Sequence, residues 1–332
     1  MKLLTYDTGA GPRAGVLVGD QVVDVTALLG EATTLHDVRA LLELSETPVE
    51  RVRSALAAGR VAPSLPLSSV RLRAPVLQPP TVRDFFDFEA HAARGARSRG
   101  AELPEAWYRL PIFYFSNPLR IVGPDDDVPF PSAAERLDYE LELAAVIGRE
   151  GSDTTEAEGL SYIAGFTILN DWSARDLQRD ESVVGLGPAK GKDFATTLGP
   201  WVVTTDELIP HLATGRLAVR CTLKVNGELW MDGTGGLMHH TWGQIVERAS
   251  HDSRIVPGDV IGSGTVSGGT VGEAMDSARF PNARFLEPGD TVEIEVEGIG
   301  ILRNRVTPKR NSDPTYRYRV PAPTEAATQH YQ

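Results

Sequence analysis

Two glutamates at i and i+2 inside a strand-like run constrain this chain more than any other feature. Residues 138–147 read DYELELAAVI. Polar and apolar residues alternate and the run then turns wholly apolar, as expected of a strand whose far end is buried on both faces. On such a strand Glu140 and Glu142 project from one face, roughly 7 Å apart at the backbone, while Leu141 and Leu143 face a core. Like charges so placed repel. That face is therefore either fully solvated or holds a cation between the carboxylates. A second strand-like run, residues 162–169, stops at Asn170-Asp171, where Ser173-Ala-Arg-Asp176 reads as a capping box opening a short helix. A carboxylate at such a junction is well placed for function. Glu140, Glu142 and Asp171 together suit a hard cation, Mg²⁺, Mn²⁺ or Ca²⁺, rather than zinc.

The rest of the chain is punctuated by turns. Gly (32) and Pro (23) make up about 17% of the 332 residues, which favours short strands over long helices. Residues 2–6, 14–18 and 21–25 read as strands, the last two joined across Gly19-Asp20. Residues 35–44 read as a helix. Thr47-Pro-Val-Glu50 offers a cap hydroxyl, a proline at the first helical position and a capping-box glutamate, so a second helix starts there and stops at Gly59. Residues 61–69 read as a linker. The expected layout is α+β and mostly β: a small N-terminal α/β module (1–70), a catalytic domain (71–310) and an extended tail (311–332). Within the catalytic domain, residues 218–225 and 228–231 flank Asn226-Gly227, a strong hairpin signal. Residues 241–250 read as a helix, and Pro257-Gly258-Asp259 and Pro288-Gly289-Asp290 as turns feeding strands at 260–262 and 291–296.

Charge and cysteine content exclude several function classes. A net charge of −12 with no sustained basic cluster argues against nucleic acid and anionic membranes as partners. A single cysteine, Cys221, excludes an internal disulfide and a cysteine-built metal site. No apolar run reaches the roughly 18 residues of a membrane helix and the N-terminus has no signal-peptide core, so a cytoplasmic protein acting on small molecules is expected. Gly191-Lys192 fails as a phosphate loop, because Leu186 and Asp193 stand where a glycine and a hydroxyl are needed. Thr265 likewise spoils a nucleophile elbow at residues 265–269. His239 and His240 would point to opposite sides of a strand and read as exposed loop residues.

Four blocks in order, Asp138-Tyr-Glu140-Leu-Glu142, Asn170-Asp171-Trp-Ser-Ala-Arg175-Asp-Leu-Gln178, Gly191-Lys192-Asp-Phe and Gly264-Thr265-Val-Ser-Gly, closely resemble the fumarylacetoacetate hydrolase family. The resemblance implies a β-roll catalytic domain, a divalent cation (Mg²⁺ first among candidates) held by Glu140, Glu142 and Asp171, and a homodimer. Members act on small 2-oxo and 1,3-dicarbonyl acids by C–C hydrolysis, decarboxylation, or hydration and isomerisation. The segment from Asp84 to His91 extends the likeness to the fumarylacetoacetate-cleaving branch, where an Asp at the first place adds a metal carboxylate and a His at the second activates water. Phe86 departs from that branch, which has a substrate-contacting tyrosine there. The glutamate that pairs with the branch's His lies in a C-terminal stretch that does not align by inspection; Glu273 is one candidate, and neither branch's dyad is complete in the sequence. In the acylpyruvate-type branch a glutamate follows the His by three residues, and here that position is Arg94.

The remaining matches fit the same chemistry. Lys192 can balance the carboxylates and donate to a carbonyl oxygen. Arg175 and Gln178, at i and i+3 on the short helix, share a face and could bind a substrate carboxylate, unless they are simply a surface pair. Thr265 lies in a Gly-rich turn where the same carboxylate could approach. Residues 93–110 read as an irregular, polar lid. The expectation is a metal-dependent hydrolase cleaving a C–C bond in a small oxo acid. A 2-oxo acid decarboxylase, a hydratase-isomerase, and a metal-binding relative without turnover are the alternatives.

Overall fold

The computed structural model describes residues 1–310, so the tail expected at 311–332 lies outside the described residues. Among these, the largest sheet has 12 strands. Ten of them run in the order Ser64–Pro66, Gln21–Asp24, Pro12–Val18, Lys2–Asp7, Thr196–Thr204, Ile163–Asp171, Leu141–Ile147, Val260–Gly262, Val82–Phe85 and Phe113–Ser116, while Arg71–Arg73 pairs off this path with Lys2–Asp7 and Ile121–Val122 with Thr196–Thr204. A second sheet of five strands runs Glu228–Thr234, Arg220–Val225, Thr291–Val296, Gly300–Thr307 and Asp127–Pro129. The apolar inner faces of the two meet in one large core that includes Leu141, Leu143, Phe166, Ile168, Leu223, Trp242 and Ile294. The fold is α+β and mostly sheet, as the turn-rich sequence implies.

The N-terminal strands do not form a sheet of their own. Lys2–Asp7 pairs antiparallel with Thr196–Thr204, Lys2 opposite Val203 and Leu3 opposite Val202, so the first strand extends the sheet that carries Asp171. Ser64–Pro66, within the stretch expected to be a linker, pairs with Gln21–Asp24. A smaller apolar cluster under the helices Val25–Leu29, Val38–Leu42 and Pro48–Ala57 takes Val146 and Val202 from the strands beyond.

Local signals were realised unevenly. The hairpin at Asn226-Gly227 forms with both residues at positive φ (52° and 83°). Thr241 and Gln244 close a capping box on the helix Trp242–Ser250. By contrast, Thr47 makes no cap hydrogen bond and Glu50 pairs with Arg53 instead, although Pro48 opens the helix as expected. The helix expected at 35–44 shrinks to Val38–Leu42, because Asp37 accepts from Ala40 N–H and sets its start. Ser173 is not a cap either. It lies in the short strand Ser173–Ala174, pairs with Leu137–Asp138, and donates its hydroxyl to the Asp171 carbonyl. Arg175–Val184 is helical without it. The lid expected to be irregular is mostly helix, Glu89–Ser98 and Glu105–Arg109, with Trp107 buried and its indole N–H on the Phe86 carbonyl. His240 is buried rather than exposed, its Nδ1 2.5 Å from Asp87. No helix among the described residues is long and apolar enough to cross a membrane.

Candidate metal centre and acid–base pair

Three strands bring three carboxylates to one point. Asp84 lies in Val82–Phe85, which pairs parallel with Val260–Gly262 so that Gly262 stands opposite Asp84. Glu142 is the second residue of Leu141–Ile147, and Asp171 ends Ile163–Asp171 on the neighbouring strand. Asp84, Glu142 and Asp171 are buried, and each offers an oxygen within 4.8 Å of the others. Gly262 makes the space for them: a Cβ there would lie 2.5 Å from Asp84 Oδ1 and 2.9 Å from Glu142 Oε2. Burial and the neighbouring Asp171 push the Asp84 carboxyl well above its ordinary range, and burial and Asp84 do the same to Glu142. Asp84 Oδ1 and Asp171 Oδ1 are buried without a hydrogen-bond partner. Hard, crowded, partly orphaned oxygens of this kind fit a divalent cation of the Mg²⁺, Mn²⁺ or Ca²⁺ type.

Glu140 is placed differently from Glu142. The strand is interrupted between Leu137–Asp138 and Leu141–Ile147, and Glu140 meets Thr270 through a single bridge. Both of its oxygens are taken by cations, Oε1 by Arg175 Nη1 at 2.7 Å and Oε2 by Lys192 Nζ at 2.6 Å. Burial alone would raise the Glu140 carboxyl, but Lys192, Arg175 and His91 hold it below the usual carboxylate range. Lys192, buried, also donates to Asp171 Oδ2, so it links Glu140 to the three-carboxylate group. Its ammonium is disfavoured by burial but held well above the usual lysine range by Asp171 and Glu140.

Arg175 is not a surface residue paired only with Gln178. Its Nε donates to Asp138 at 2.7 Å and its Nη1 to Gln178 Oε1 at 2.9 Å, while Nη1 also meets Glu140. The guanidinium thus neutralises two buried carboxylates beneath the cluster. Thr265 is buried in its Gly-rich turn, its hydroxyl 3.5 Å from Glu142 Oε1, and Gly264 N–H donates to Glu142 Oε2 at 3.1 Å. Gly264 requires its lack of side chain, with φ +78° and a Cβ that would fall 2.5 Å from the Phe85 carbonyl.

The structure supplies the partner that the sequence could only nominate. His91, on the helix Glu89–Ser98, has Nδ1 3.2 Å from Glu273 Oε2. Burial would raise the Glu273 carboxyl, but hydrogen bonds from His91 and Thr270 hold it below its ordinary value. An ionised carboxylate only accepts, so His91 donates through Nδ1–H, the arrangement that in a neutral imidazole puts the lone pair on Nε2. Phe86 packs its ring against the His91 imidazole, centroids 5.5 Å apart at 79°. Tyr114 escaped sequence reasoning altogether. From the edge strand Phe113–Ser116 its hydroxyl donates to Asp171 Oδ2 at 2.6 Å and lies 3.3 Å from Asp84 Oδ2. Its only sequence signal is one tyrosine among the aromatics of residues 113–115.

A model of the fumarylacetoacetate hydrolase C-terminal domain matches residues 81–307. A mitochondrial oxaloacetate tautomerase of Bos taurus is 33% identical over 302 residues, covering 90% of this chain and 88% of its own. Among solved structures, 5-carboxymethyl-2-hydroxymuconate delta-isomerase from Mycobacterium smegmatis is 29% identical with a TM-score of 0.66, covering 93% of this chain and 100% of that one. The fumarylacetoacetate hydrolase of Exiguobacterium antarcticum is 28% identical with a TM-score of 0.69 at the same coverages.

Proposed function

We propose that this chain, which belongs to the fumarylacetoacetate hydrolase family, is a divalent-metal-dependent hydrolase of a C–C bond in a small 1,3-dicarbonyl 2-oxo acid. One observation carries the reading: a complete His91–Glu273 pair on the elements that flank a buried three-carboxylate cluster. Asp84, Glu142 and Asp171 would hold the cation, with Glu140 alongside. Bound there, it supplies positive charge that polarises a 2-oxo acid and favours its enolate. His91 Nε2 takes a proton from water, and the oxygen so activated adds to the distal carbonyl carbon. The bond to the neighbouring carbon then breaks, its electron pair remains with the 2-oxo acid as an enolate, and the imidazolium returns the proton to that carbon. Glu273 keeps the imidazole in the tautomer that leaves Nε2 basic. Lys192 offers N–H donors to the oxygen that gains charge, and Gln178 and Thr265 are the polar side chains proposed to meet the substrate carboxylate, with Phe86 lining its path.

A second reading has support of its own, since the bovine relative is a tautomerase and the Mycobacterium smegmatis structure an isomerase. The same Nε2 would then remove a proton from carbon rather than from water, and no C–C bond would break. Product analysis separates the two. With added Mn²⁺ or Mg²⁺, acylpyruvates should lose their enol absorbance and release equimolar pyruvate, and His91→Ala should lower turnover by roughly 10²–10⁴-fold. Enol decay of acylpyruvates or oxaloacetate without fragments would establish the tautomerase. Silence on every substrate, in protein that binds the metal, would leave a binding protein.

A further inference from the structure

We propose that Arg94 is a positioning residue for the His91–Glu273 pair, an inference that rests on the reading of His91 as the base. His91 and Arg94 are three residues apart on the helix Glu89–Ser98, so they share a face one turn apart. Both reach across to the short helix Val271–Met275. His91 meets Glu273 there. Arg94 Nε donates to Asp276 Oδ2 at 2.6 Å, and Arg94 Nη2 donates to the Gly272 carbonyl at 2.8 Å.

These two acceptors bracket Glu273. Gly272 precedes it directly, and Asp276 is the C-terminal cap of the same helix. The guanidinium therefore holds both ends of the turn that presents the carboxylate. Gly272 admits it closely: a Cβ at that position would lie 2.9 Å from Arg94 Nη2. A helix of five residues does not hold its own shape and depends on outside contacts. On its N-terminal side Thr270 supplies them, accepting from Glu273 N–H at 3.1 Å and donating to Glu273 Oε2 at 2.9 Å. On its other side Arg94 does so. The side chains of Arg94 and Asp276 are 35% and 64% exposed, so their pairing adds little to global stability, and its consequence is geometric. The planar fork of an arginine meets the carboxylate and the carbonyl through separate nitrogens in a fixed geometry, whereas a shorter, single-nitrogen lysine holds them less rigidly.

The test uses the full-length, Mn²⁺-loaded enzyme. Arg94→Ala should lower kcat about tenfold with KM changed by no more than about twofold, because a misplaced base loses rate before binding. Arg94→Lys should recover part of the loss. In a Glu273→Gln background, Arg94→Ala should cost nothing further, since the residue acts through Glu273. Independently of turnover, and with diamagnetic Mg²⁺ in place of Mn²⁺, the hydrogen-bonded Nδ1 proton of His91 should be visible by proton NMR, vanish in Glu273→Gln, and broaden or shift in Arg94→Ala, with thermal melting unchanged. A wild-type kcat together with an unmoved His91 resonance in Arg94→Ala would overturn the proposal. An undiminished Arg94→Ala penalty in the Glu273→Gln background would overturn it too. If His91→Ala and Glu273→Gln themselves leave turnover intact, the base reading fails, and the His91 resonance alone still decides whether Arg94 positions the pair.

Discussion

Gly262→Ala should cost the protein its divalent cation while leaving its fold in place. Gly262 stands between Asp84 on one neighbouring strand and Ala144 on the other, and its missing side chain is the floor of the carboxylate cluster. A methyl group there would sit 2.5 Å from Asp84 Oδ1 and 2.9 Å from Glu142 Oε2, where ordinary contact begins at 3.4 Å. The two oxygens must therefore retreat by about 0.9 and about 0.5 Å, whereas metal sites tolerate ligand displacements of about 0.2 Å. The backbone cannot yield, since the strands of Asp84 and Glu142 each have hydrogen-bonded neighbours on both sides. Displacing two ligands at once should weaken binding by at least about 100-fold, or about 2.7 kcal/mol.

Stability without metal should change little. Replacing a strand glycine by alanine recovers roughly 0.5–1 kcal/mol through the unfolded chain, which offsets part of the strain. The assay is calorimetric titration with Mn²⁺, alongside thermal melts in chelator and in excess Mn²⁺. Wild type should melt higher with the ion and the variant should not. A Gly262→Ala protein with wild-type Mn²⁺ affinity would refute the assignment of this cluster as the metal centre.

Three further outcomes follow from the charges. Glu142→Ala should abolish Mn²⁺ binding while leaving the metal-free protein as stable or more so, because it removes a carboxylate that burial and Asp84 both disfavour. Glu140→Ala should instead destabilise by about 3 kcal/mol in urea, because it leaves the buried Lys192 and the half-buried Arg175 short of a counter-charge. Equal stabilities for the two variants would contradict this division. Near the N-terminus, burial would raise the Asp24 carboxyl, but Arg13, Ala27 N–H and Tyr6 hold it below its ordinary value. Its contribution to stability is therefore present above the ordinary carboxylate range and lost as pH falls through the folded value. Asp24→Asn should cost about 1 kcal/mol at pH 7, and the gap to wild type should close as pH falls below the ordinary carboxylate range. A gap of the same size at pH 7 and in strong acid would exclude the ionised carboxylate as its source.

The strand carrying Glu142, the strand ending at Asp171, the Asn226-Gly227 hairpin and the Thr241 cap were all legible in the sequence. Each is set by side-chain alternation or turn chemistry within a few residues. Strand alternation also placed Glu140 and Glu142 on one face, and that inference was incomplete. Whether a carboxylate faces a cation site or a lysine depends on what packs opposite, and Lys192 and Arg175 arrive from other elements. Ser173 shows the same limit from the other side. Its cap signal was sound locally, but pairing with Leu137–Asp138 claimed the residue for a strand.

The sequence by itself determined the chemistry available, namely a carboxylate cluster on strands, a histidine near one of them and a lysine to balance charge. Tertiary structure decided which of these meet. Glu273 reaches His91 across 182 positions of sequence, Tyr114 reaches Asp171 across 57, and Lys2–Asp7 joins the sheet beside Thr196–Thr204. Periodicity and caps act over a turn or a strand. Partners that far apart are chosen by sheet order and by the burial of apolar faces, which bring together residues whose own neighbours in sequence carry no sign of the meeting.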